Sequence, residues 1–461
     1  MKRLLVTVLL AGCTTVGPDY QRPAVPLPQA YPGAAAGAAA PPAAEWWRSF
    51  GDAALDRLVA ATRAANSDLR LAAARVQEAE GLAREAGAAI HPEVFAGAGA
   101  TRNRVSRRTE PRAGAPLERE QYQLLASTSF EIDFWGRYAR TAEAARANLL
   151  AARHAQALVE LTLTGATVQA YFALRALDAQ LAVLASTIRL REDSLGIART
   201  RLQAGLASEL DVRQAQAALA DARVQRRDTV RARALAERQL ATLTGQLELR
   251  LPAQDRDLLA LPVPPAPPPG LPSALLERRP DIVAAEQQMI AANALIGAAR
   301  AALFPSISLT GALGTQSAAL ANLLSGGAGI WSLGVGLALP IFDGGRREAR
   351  VAQAEARREQ ALATYQRAIE NGFREVSDAL VSLAETGAAE DDIRARLEAA
   401  RGALELSTLR YESGYSPYLE VLDAQRTAND AELALVRNRL ARLAFSVDLM
   451  KALGGGWRAP G

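Results

Sequence analysis

Apolar residues recur at steps of three and four along two long stretches of the sequence. They include Leu174, Leu177, Leu181, Leu184 and Ile188 in the first stretch, and Ile369, Phe373, Val376, Leu380 and Leu383 in the second. This spacing predicts helices with a narrow packing seam of the coiled-coil type. The predicted helices cover 136–204 and 345–413, and a helix of about 68 residues is on the order of 100 Å long. We expect such helices to span a distance, since a globular core does not require that length.

A second pattern, in which apolar residues alternate with small or polar ones, precedes each long helix. One face of the extended segment holds Trp331, Leu333, Val335, Leu337, Leu339 and Ile341, and its counterpart in the first half holds Tyr122, Leu124, Ala126, Thr128, Phe130 and Ile132. A period of two over about eleven residues is typical of membrane β-strands. We expect one β-hairpin at about 94–132 and another at about 306–341.

The second hairpin region contains no charged residue between Ala301 and Phe342. A transmembrane helix would account for a long uncharged stretch, but Pro305, Pro340 and the alternation oppose a helix. An ordinary soluble hairpin is the other alternative. The absence of charge favours a hairpin in a membrane.

The two halves of the chain repeat one arrangement. Gly205 and Gly414 are 209 residues apart, and each is followed by the same Leu-acid-Val and Ala-Gln steps. A tandem repeat explains why the chain makes the same glycine turn twice. The first repeat covers 51–250, a Pro-rich linker covers 251–273, and the second repeat covers 274–461.

Each repeat is expected to have the same order of elements. A helix precedes the hairpin, the long helix follows it, and a return helix starts after the glycine turn. The return helices are predicted at 209–243 and 419–453, and a short C-terminal tail follows the second of them.

Four strands per chain cannot close a barrel, and an open sheet edge is not tolerated in lipid. A dimer would provide eight strands, whose lumen side chains would fill, and a trimer would provide twelve, wide enough for a passage. The expected fold class is mainly α with membrane β. It combines a tandem-repeat barrel of long coiled-coil helices with a β-barrel built from four strands per protomer.

The N-terminus, MKRLLVTVLLAGCTT, has a basic start, a short apolar run and small residues before Cys13. The run is too short for a membrane-spanning helix and predicts a signal peptide at 1–12. Small residues before the single cysteine of the chain resemble a bacterial lipoprotein box, which implies that Cys13 is lipidated. In that pattern, Thr14 rather than Asp implies outer-membrane delivery. A plain signal peptide with an incidental cysteine is the alternative. The segment 13–50 is predicted to be a lipidated, extended N-terminal arm.

Composition narrows the classes of function. The net charge is +4, and Arg is interspersed with Asp and Glu, which favours a solvated surface over nucleic-acid binding. The two histidines, His91 and His154, are far apart, so we expect no metal site. Glu420 and Asp423 would need a pocket to act as an acid/base pair, and their Ala-rich helical surroundings offer none. We therefore expect no enzyme, and no cofactor apart from covalent lipid on Cys13.

Several motifs together resemble the outer-membrane efflux lipoproteins of the TolC family, the NodT- and OprM-like outer-membrane factors of tripartite efflux pumps. They are the residues up to Cys13, GPDYQRP, WWRSFGDAALDRLV, LPSALLERRPDI, PIFDGGR and the two glycine turns. The resemblance covers nearly the whole mature chain. It implies a homotrimer with a twelve-stranded barrel in the outer-membrane lipid and a helical tunnel in the periplasm. It also implies a periplasmic adaptor and an inner-membrane pump, of the proton-driven RND type, as partners.

The implied function is that of an exit duct, which passively conducts small toxic compounds from the adaptor and pump to the outside. A duct for type I protein secretion is an alternative, and the lipid anchor favours drug-type efflux over it. A lipid-anchored coiled-coil spacer is a further alternative, but it does not explain the alternating hairpins.

The resemblance also places a closed periplasmic aperture at the glycine turns. It implies an acidic ring at Glu420 and Asp423 and a gate-holding tyrosine at Tyr411, and Asp211 is the repeat counterpart of Glu420. Glu420 and Asp423 share a helix face, so a trimer would bring like charges together near one axis, where they repel. Alternatively, these acids only solvate a helix start. The expected adaptor-contact residues at the tip are Gly205, Leu206, Ala207, Ser208, Gly414, Tyr415 and Ser416.

Overall fold

The computed structural model describes residues 15–31, 42–108, 116–252, 258–266 and 272–457, and this part of the chain is mostly helical. The elements of the first repeat are α1 (Ala53–Ala65), α2 (Ser67–Ala88), β1 (Glu93–Arg104), β2 (Glu118–Ile132), α3 (Arg137–Gln203) and α4 (Glu209–Thr244). Those of the second are α5 (Pro280–Ala301), β3 (Ser306–Ser317), β4 (Gly329–Ala338), α6 (Arg346–Glu412) and α7 (Tyr418–Ala452). Short helical turns lie at Trp46–Phe50, Leu258–Ala260, Pro272–Ala274, Leu275–Arg278 and Leu320–Asn322.

The two long helices, α3 and α6, contain 67 residues each. Each helix begins and ends one residue inside the predicted bounds, 136–204 and 345–413. Gly136 (φ +77°) and Gly345 (φ +80°) directly precede them. A left-handed backbone at these positions interrupts helical geometry and is accessible to glycine at little cost, so the sequence marks where each long helix starts.

Two helices, rather than the single predicted helix, precede the first hairpin. Asn66 separates α1 from α2 because its backbone is extended (ψ 133°). Its side-chain oxygen accepts a hydrogen bond from the backbone N–H of Asp68 at 2.8 Å, and its amide donates to the Leu243 carbonyl at 2.9 Å. One polar side chain therefore starts α2 and fixes this corner against the end of α4.

The four strands form a single antiparallel sheet in the order β1-β2-β3-β4. The pairing of β2 with β3, in which Leu124 faces Thr315, joins the hairpins of the two repeats. Strands β1 and β4 are the open edges. Large apolar side chains project from the sheet into solvent, and their exposed fractions are 74% for Trp331, 82% for Leu333 and 77% for Val335. In water such a face would cause the protein to associate with other molecules. Its apolar side chains are suited to contact with lipid.

The chain divides into two compact units, each with segments from both repeats. The described residues of the first unit fall within Met1–Ala24, Arg75–Ala152 and Ala285–Tyr365, and those of the second within Val25–Ala74, Arg153–Ala284 and Gln366–Gly461. The first unit contains the sheet. The second contains the largest apolar core.

Aromatic residues anchor the N-terminal arm in the core of the second unit. Trp46, Trp47 and Phe50 are buried, and the Phe50 ring packs edge-on against Phe172 at 4.9 Å between centroids. Asp52 caps α1 by accepting from the backbone N–H of Ala54 and also accepts from the buried Tyr171 hydroxyl. The core closes with residues of α3 and α7, among them Leu174, Val436, Leu443 and Val447.

An earlier part of the arm lies along the first unit. The Arg22 guanidinium forms a two-bond ion pair with the buried Glu286 carboxylate, at 2.6 and 2.8 Å. The Tyr20 hydroxyl donates to the same carboxylate at 2.9 Å. Gly17 approaches Gly297 so closely that a Cβ on Gly17 would lie 2.4 Å from the Gly297 Cα. The arm is therefore a packed strap rather than a free linker at these positions.

Two helices, α3 and α5, include stretches long and apolar enough to cross a membrane. Half or more of each such stretch is buried within the chain, which is typical of core helices. The apolar character of these helices is explained by their packing.

Candidate functional site

The first glycine turn links α3 to α4. The chain reverses at Gly205 (φ +72°), where the backbone N–H of Leu206 donates to the Arg201 carbonyl at 2.8 Å. Ser208 then caps α4: its hydroxyl accepts from the Asp211 backbone N–H, and the Asp211 carboxylate accepts from the Ser208 N–H, both at 3.3 Å. This reciprocal capping commits Asp211 to the start of its own helix.

The second turn repeats this geometry between α6 and α7. Gly414 has φ +82°, and the backbone N–H of Tyr415 donates to the Arg410 carbonyl at 2.8 Å. Pro417 occupies the position before α7 without a side-chain cap. A Cβ at Gly205 would meet no atom within 4 Å, so the positive φ and not crowding makes glycine the suitable residue.

Two tyrosines lie beneath the second turn. Tyr411 and Tyr418 are almost fully buried, and their ring centroids are 5.5 Å apart. They pack with Leu195, Ala198, Val212, Ala215, Leu219 and Val421. Neither hydroxyl has a hydrogen-bond partner in the described part of the chain, which leaves buried polar groups unsatisfied at a cost of about 1–3 kcal/mol each.

Burial keeps both hydroxyls protonated. It raises the pKa of Tyr418 to about 12, and burial, followed by the nearby Asp211 carboxylate, raises the pKa of Tyr411. At neutral pH each hydroxyl is therefore protonated and can donate a hydrogen bond.

Arg201 connects the two turns, a role that the sequence analysis missed. Its guanidinium donates to the carbonyls of Tyr411 at 2.8 Å and Glu412 at 3.1 Å, and it lies 4.8 Å from the Tyr411 ring centroid. A cation suits the last carbonyls of a helix because these carry partial negative charge. The sequence signal that could have identified Arg201 was the repeat, since Arg201 and Arg410 are counterparts. In the structure, Arg410 lies 3.8 Å from Glu420.

Buried polar contacts continue along the helices near the turns. The Gln425 amide donates to the Ser194 hydroxyl at 2.7 Å, and the Thr187 hydroxyl pairs with Asn429 at 2.9 Å. Arg191 donates to the Ala218 carbonyl. The contacts of Gln425 and Asn429 fix the register between α7 and α3, and the contact of Arg191 fixes α3 against α4. A shifted register would leave these groups buried without partners.

Glu420 and Asp423 both project into solvent from the first turns of α7. Glu420 has the distant partner Arg410, and Asp423 pairs with Arg426 at 2.8 Å, although its side chain is 64% exposed. Such exposed pairs contribute little stability. The three acids assigned to a gate therefore differ in the single chain: Glu420 and Asp423 are accessible, whereas Asp211 caps a helix.

The sequence matches the model of a protein family described as outer membrane efflux protein, over residues 58–246 and again over 271–455. The chain belongs to the outer membrane efflux protein family. Two successive matches agree with the tandem arrangement of glycine turns and hairpins.

Relatives of this efflux protein align with it from end to end. Outer membrane protein OprJ of Pseudomonas aeruginosa is 38% identical over 463 residues, which cover 98% of this chain and 95% of OprJ. The toluene efflux pump outer membrane protein TtgF of Pseudomonas putida is 37% identical over 476 residues, which cover 98% of this chain and 96% of TtgF. A crystal structure of a membrane protein from Pseudomonas aeruginosa has a TM-score of 0.89 and 36% identity, covering 96% of this chain and 98% of that one.

The tip of the efflux protein differs from the predicted exposure at two residues, since Ala207 is half-buried and Ser416 is buried. Leu206 and Tyr415 are 68% and 79% exposed, and Ser208 is exposed, but Ser416 is buried. The prediction that Ser416 is exposed is wrong, whereas its contact with an adaptor stays a prediction. Pro417 has an extended backbone before α7. Ser416 and Tyr418 are buried, whereas Tyr415 and Pro417 are exposed.

No group of three or more metal-ligating side chains occurs in the described part of this efflux protein. The described tip consists of two glycine turns, two buried tyrosines and two exposed acids.

Proposed function

We propose that three copies of this outer-membrane efflux protein form a continuous duct, with a twelve-stranded barrel in the membrane and a tunnel of long helices in the periplasm. The observation that carries the proposal is the four-stranded sheet with two unpaired edges. An edge strand in lipid leaves backbone N–H and C=O groups without partners, at a cost of several kcal/mol for each group. Pairing β4 of one copy with β1 of the next removes every edge.

The width that a passage needs decides the number of copies. Two copies would give eight strands, and side chains fill the interior of a barrel of that size. Three copies give twelve strands and leave room for a solute. The helices α3 and α6, each of 67 residues, then provide a wall on the order of 100 Å long.

The barrel is anchored by lipid on Cys13, which lies outside the described residues. Thr15 packs on Gly136, and the Val16 backbone N–H donates to the Trp135 carbonyl at 3.0 Å. Trp135 follows the end of β2 by three residues. Because two residues span at most about 7 Å, acyl chains on Cys13 would enter the bilayer beside the barrel rim.

Mass spectrometry of the purified chain tests the anchor. We expect the N-terminal peptide to begin at Cys13 and to carry the mass of acyl chains, because the signal peptide is removed at the lipidated residue. In the Cys13→Ser variant the added mass should disappear. An unmodified cysteine in the wild-type peptide would refute the anchor.

The partners are a periplasmic adaptor and an inner-membrane pump of the proton-driven RND type, and the cargo is small toxic compounds. The relative TtgF, named as part of a toluene efflux pump, supports small molecules over a secreted polypeptide. The exposed tip residues Leu206, Ser208 and Tyr415, with Gly205 and Gly414, are the adaptor-contact surface. Glu420, Asp423, Asp211 and Tyr411 form the periplasmic gate.

Planar lipid bilayers test the duct directly. Addition of the purified, lipidated protein should produce discrete current steps, since a twelve-stranded barrel contains a water-filled passage. The control is the same protein after heat denaturation. A spacer protein would leave the bilayer silent under every voltage, and that result would contradict the proposal.

A further inference from the structure

Three arginines crowd the start of α6. Arg346, Arg347 and Arg350 lie in its first turns, where the helix dipole disfavours positive charge. Asp343 offsets this in part: its carboxylate accepts from the backbone N–H groups of Arg346 and Arg347 and pairs with the Arg347 guanidinium at 3.4 Å. The side chains of Arg346 and Arg350 are exposed and have no partner among the residues that the structure describes.

In the first repeat, an acid neutralises the charge of the arginine at the corresponding position. Arg137, the counterpart of Arg346, forms an ion pair of 2.6 Å with Glu131. In the second repeat Pro340 stands at the position of Glu131, 209 residues later. The second repeat therefore has the arginine without the acid that pairs with it in the first repeat, which leaves this arginine free to bind an anion from outside the chain.

The apolar face of β4 continues up to these arginines. Leu339 and Ile341 extend the alternation of Trp331 to Leu337, and their exposed fractions are 56% and 94%. Phe342 is 91% exposed. A strip of exposed apolar residues that ends in exposed arginines is the pattern of a hydrocarbon–headgroup boundary, where arginine reaches the lipid phosphates.

A cavity of about 350 Å³ opens beside this strip, lined in part by Trp135, Phe304, Arg347 and Arg350. Its two carboxylates are already engaged. Glu131 is held by Arg137, and Asp133 accepts from the backbone N–H groups at the start of α3 at 3.1 and 2.7 Å. Arg350 thus brings an uncompensated positive charge to an aromatic-lined cavity.

We propose that Arg346 and Arg350 bind the phosphate of an anionic phospholipid in the periplasmic leaflet of the outer membrane, while its acyl chains lie along residues 339–342. The two arginines are one helical turn apart and share a face of α6, so both can reach one headgroup. This inference goes beyond the duct. It rests on the location of the protein in the outer membrane and on Arg346 and Arg350 staying exposed when β4 pairs with β1 of a neighbouring copy.

Titration of the purified protein in detergent with short-chain phosphatidylglycerol, followed by calorimetry, tests the site. The combined Arg346→Gln and Arg350→Gln variant should bind phosphatidylglycerol about thirtyfold more weakly than the wild type. Each arginine near a lipid headgroup raises the affinity about fivefold to sixfold, and the two factors multiply. The matched control is the combined Arg357→Gln and Arg367→Gln variant, which removes two exposed arginines without described partners from the same helix. Its affinity should equal that of the wild type.

Four results would overturn the site. They are absence of phosphatidylglycerol binding to the wild type, equal weakening in the two variants, equally tight binding of zwitterionic phosphatidylcholine, and displacement of phosphatidylglycerol by inorganic phosphate at the same concentration. Native mass spectrometry of each variant adds a fifth, because loss of the oligomer only in the first variant would assign these arginines to a contact between copies. Intact oligomers with selective loss of phosphatidylglycerol binding support the proposal.

Discussion

Gly414→Glu is expected to abolish efflux while leaving assembled oligomers in the outer membrane. Gly414 has φ +82°, and a residue with a Cβ in this conformation costs about 1–2 kcal/mol. The new carboxylate would also lie on the tip proposed to contact the adaptor. Because only the tip of the Arg201 side chain lies within 4 Å of a Cβ at this position, assembly of the sheet should be unaffected. Gly205→Glu should behave in the same way.

The measurement is the tolerance of an efflux-deficient strain to a small toxic compound, together with the amount of oligomer in its outer membrane. Gly402→Glu is the matched control, because Gly402 lies within α6 and has open space around it. It should retain efflux. Gly414→Asn separates backbone from charge, since asparagine tolerates the left-handed conformation, and should retain more efflux than Gly414→Glu. Disappearance of the oligomer in Gly414→Glu would assign the turn to assembly instead.

The combined Glu420→Gln and Asp423→Asn variant is expected to raise the single-channel conductance severalfold in the presence of a divalent cation, or to lose the cation response. In a trimer these residues place two carboxylates per copy near one axis, and their mutual repulsion falls when a cation binds among them. Neutral amides have nearly the same shape, but they do not attract the cation and do not repel one another. The exposed positions of both acids make a purely structural effect small.

Conductance of the purified oligomer, with and without the divalent cation, is the measurement. The combined Asp391→Asn and Asp392→Asn variant removes two exposed acids from α6 and should respond like the wild type. If conductance and selectivity of the first variant match the wild type, Glu420 and Asp423 only solvate the start of α7.

For Asp211→Asn we expect a different result. The capping box should be weaker and α4 less stable, because the Asp211 carboxylate is engaged with Ser208.

Local sequence signals were sufficient for the long helices and the strands. Glycines with positive φ bound α3 and α6, and the alternation around Trp331 locates β4. These features depend on single residues or on short periodic patterns, which act in the same way wherever the chain folds. Helix α1 was missed, because the break that separates it from α2 depends on a tertiary contact of Asn66 with Leu243.

The candidate site was predictable only in part, because some of its features depend on tertiary contacts. The glycine turns, Tyr411 and the acids were located from the repeat and the family resemblance. The contacts of Arg201 and Gln425 and the burial of Ser416 depend on which helices become neighbours in the folded chain. The division into two compact units also could not be predicted, because pairing of β2 with β3 mixes the repeats in space.

Native mass spectrometry of the purified, lipidated protein in detergent tests the central claim most directly, because it counts the copies that enclose the passage. A sheet of four strands with free edges at β1 and β4 requires neighbours, and we predict a complex of three chains that remains intact on release from the detergent. A single chain as the stable species, or a stable complex of two, would contradict the account.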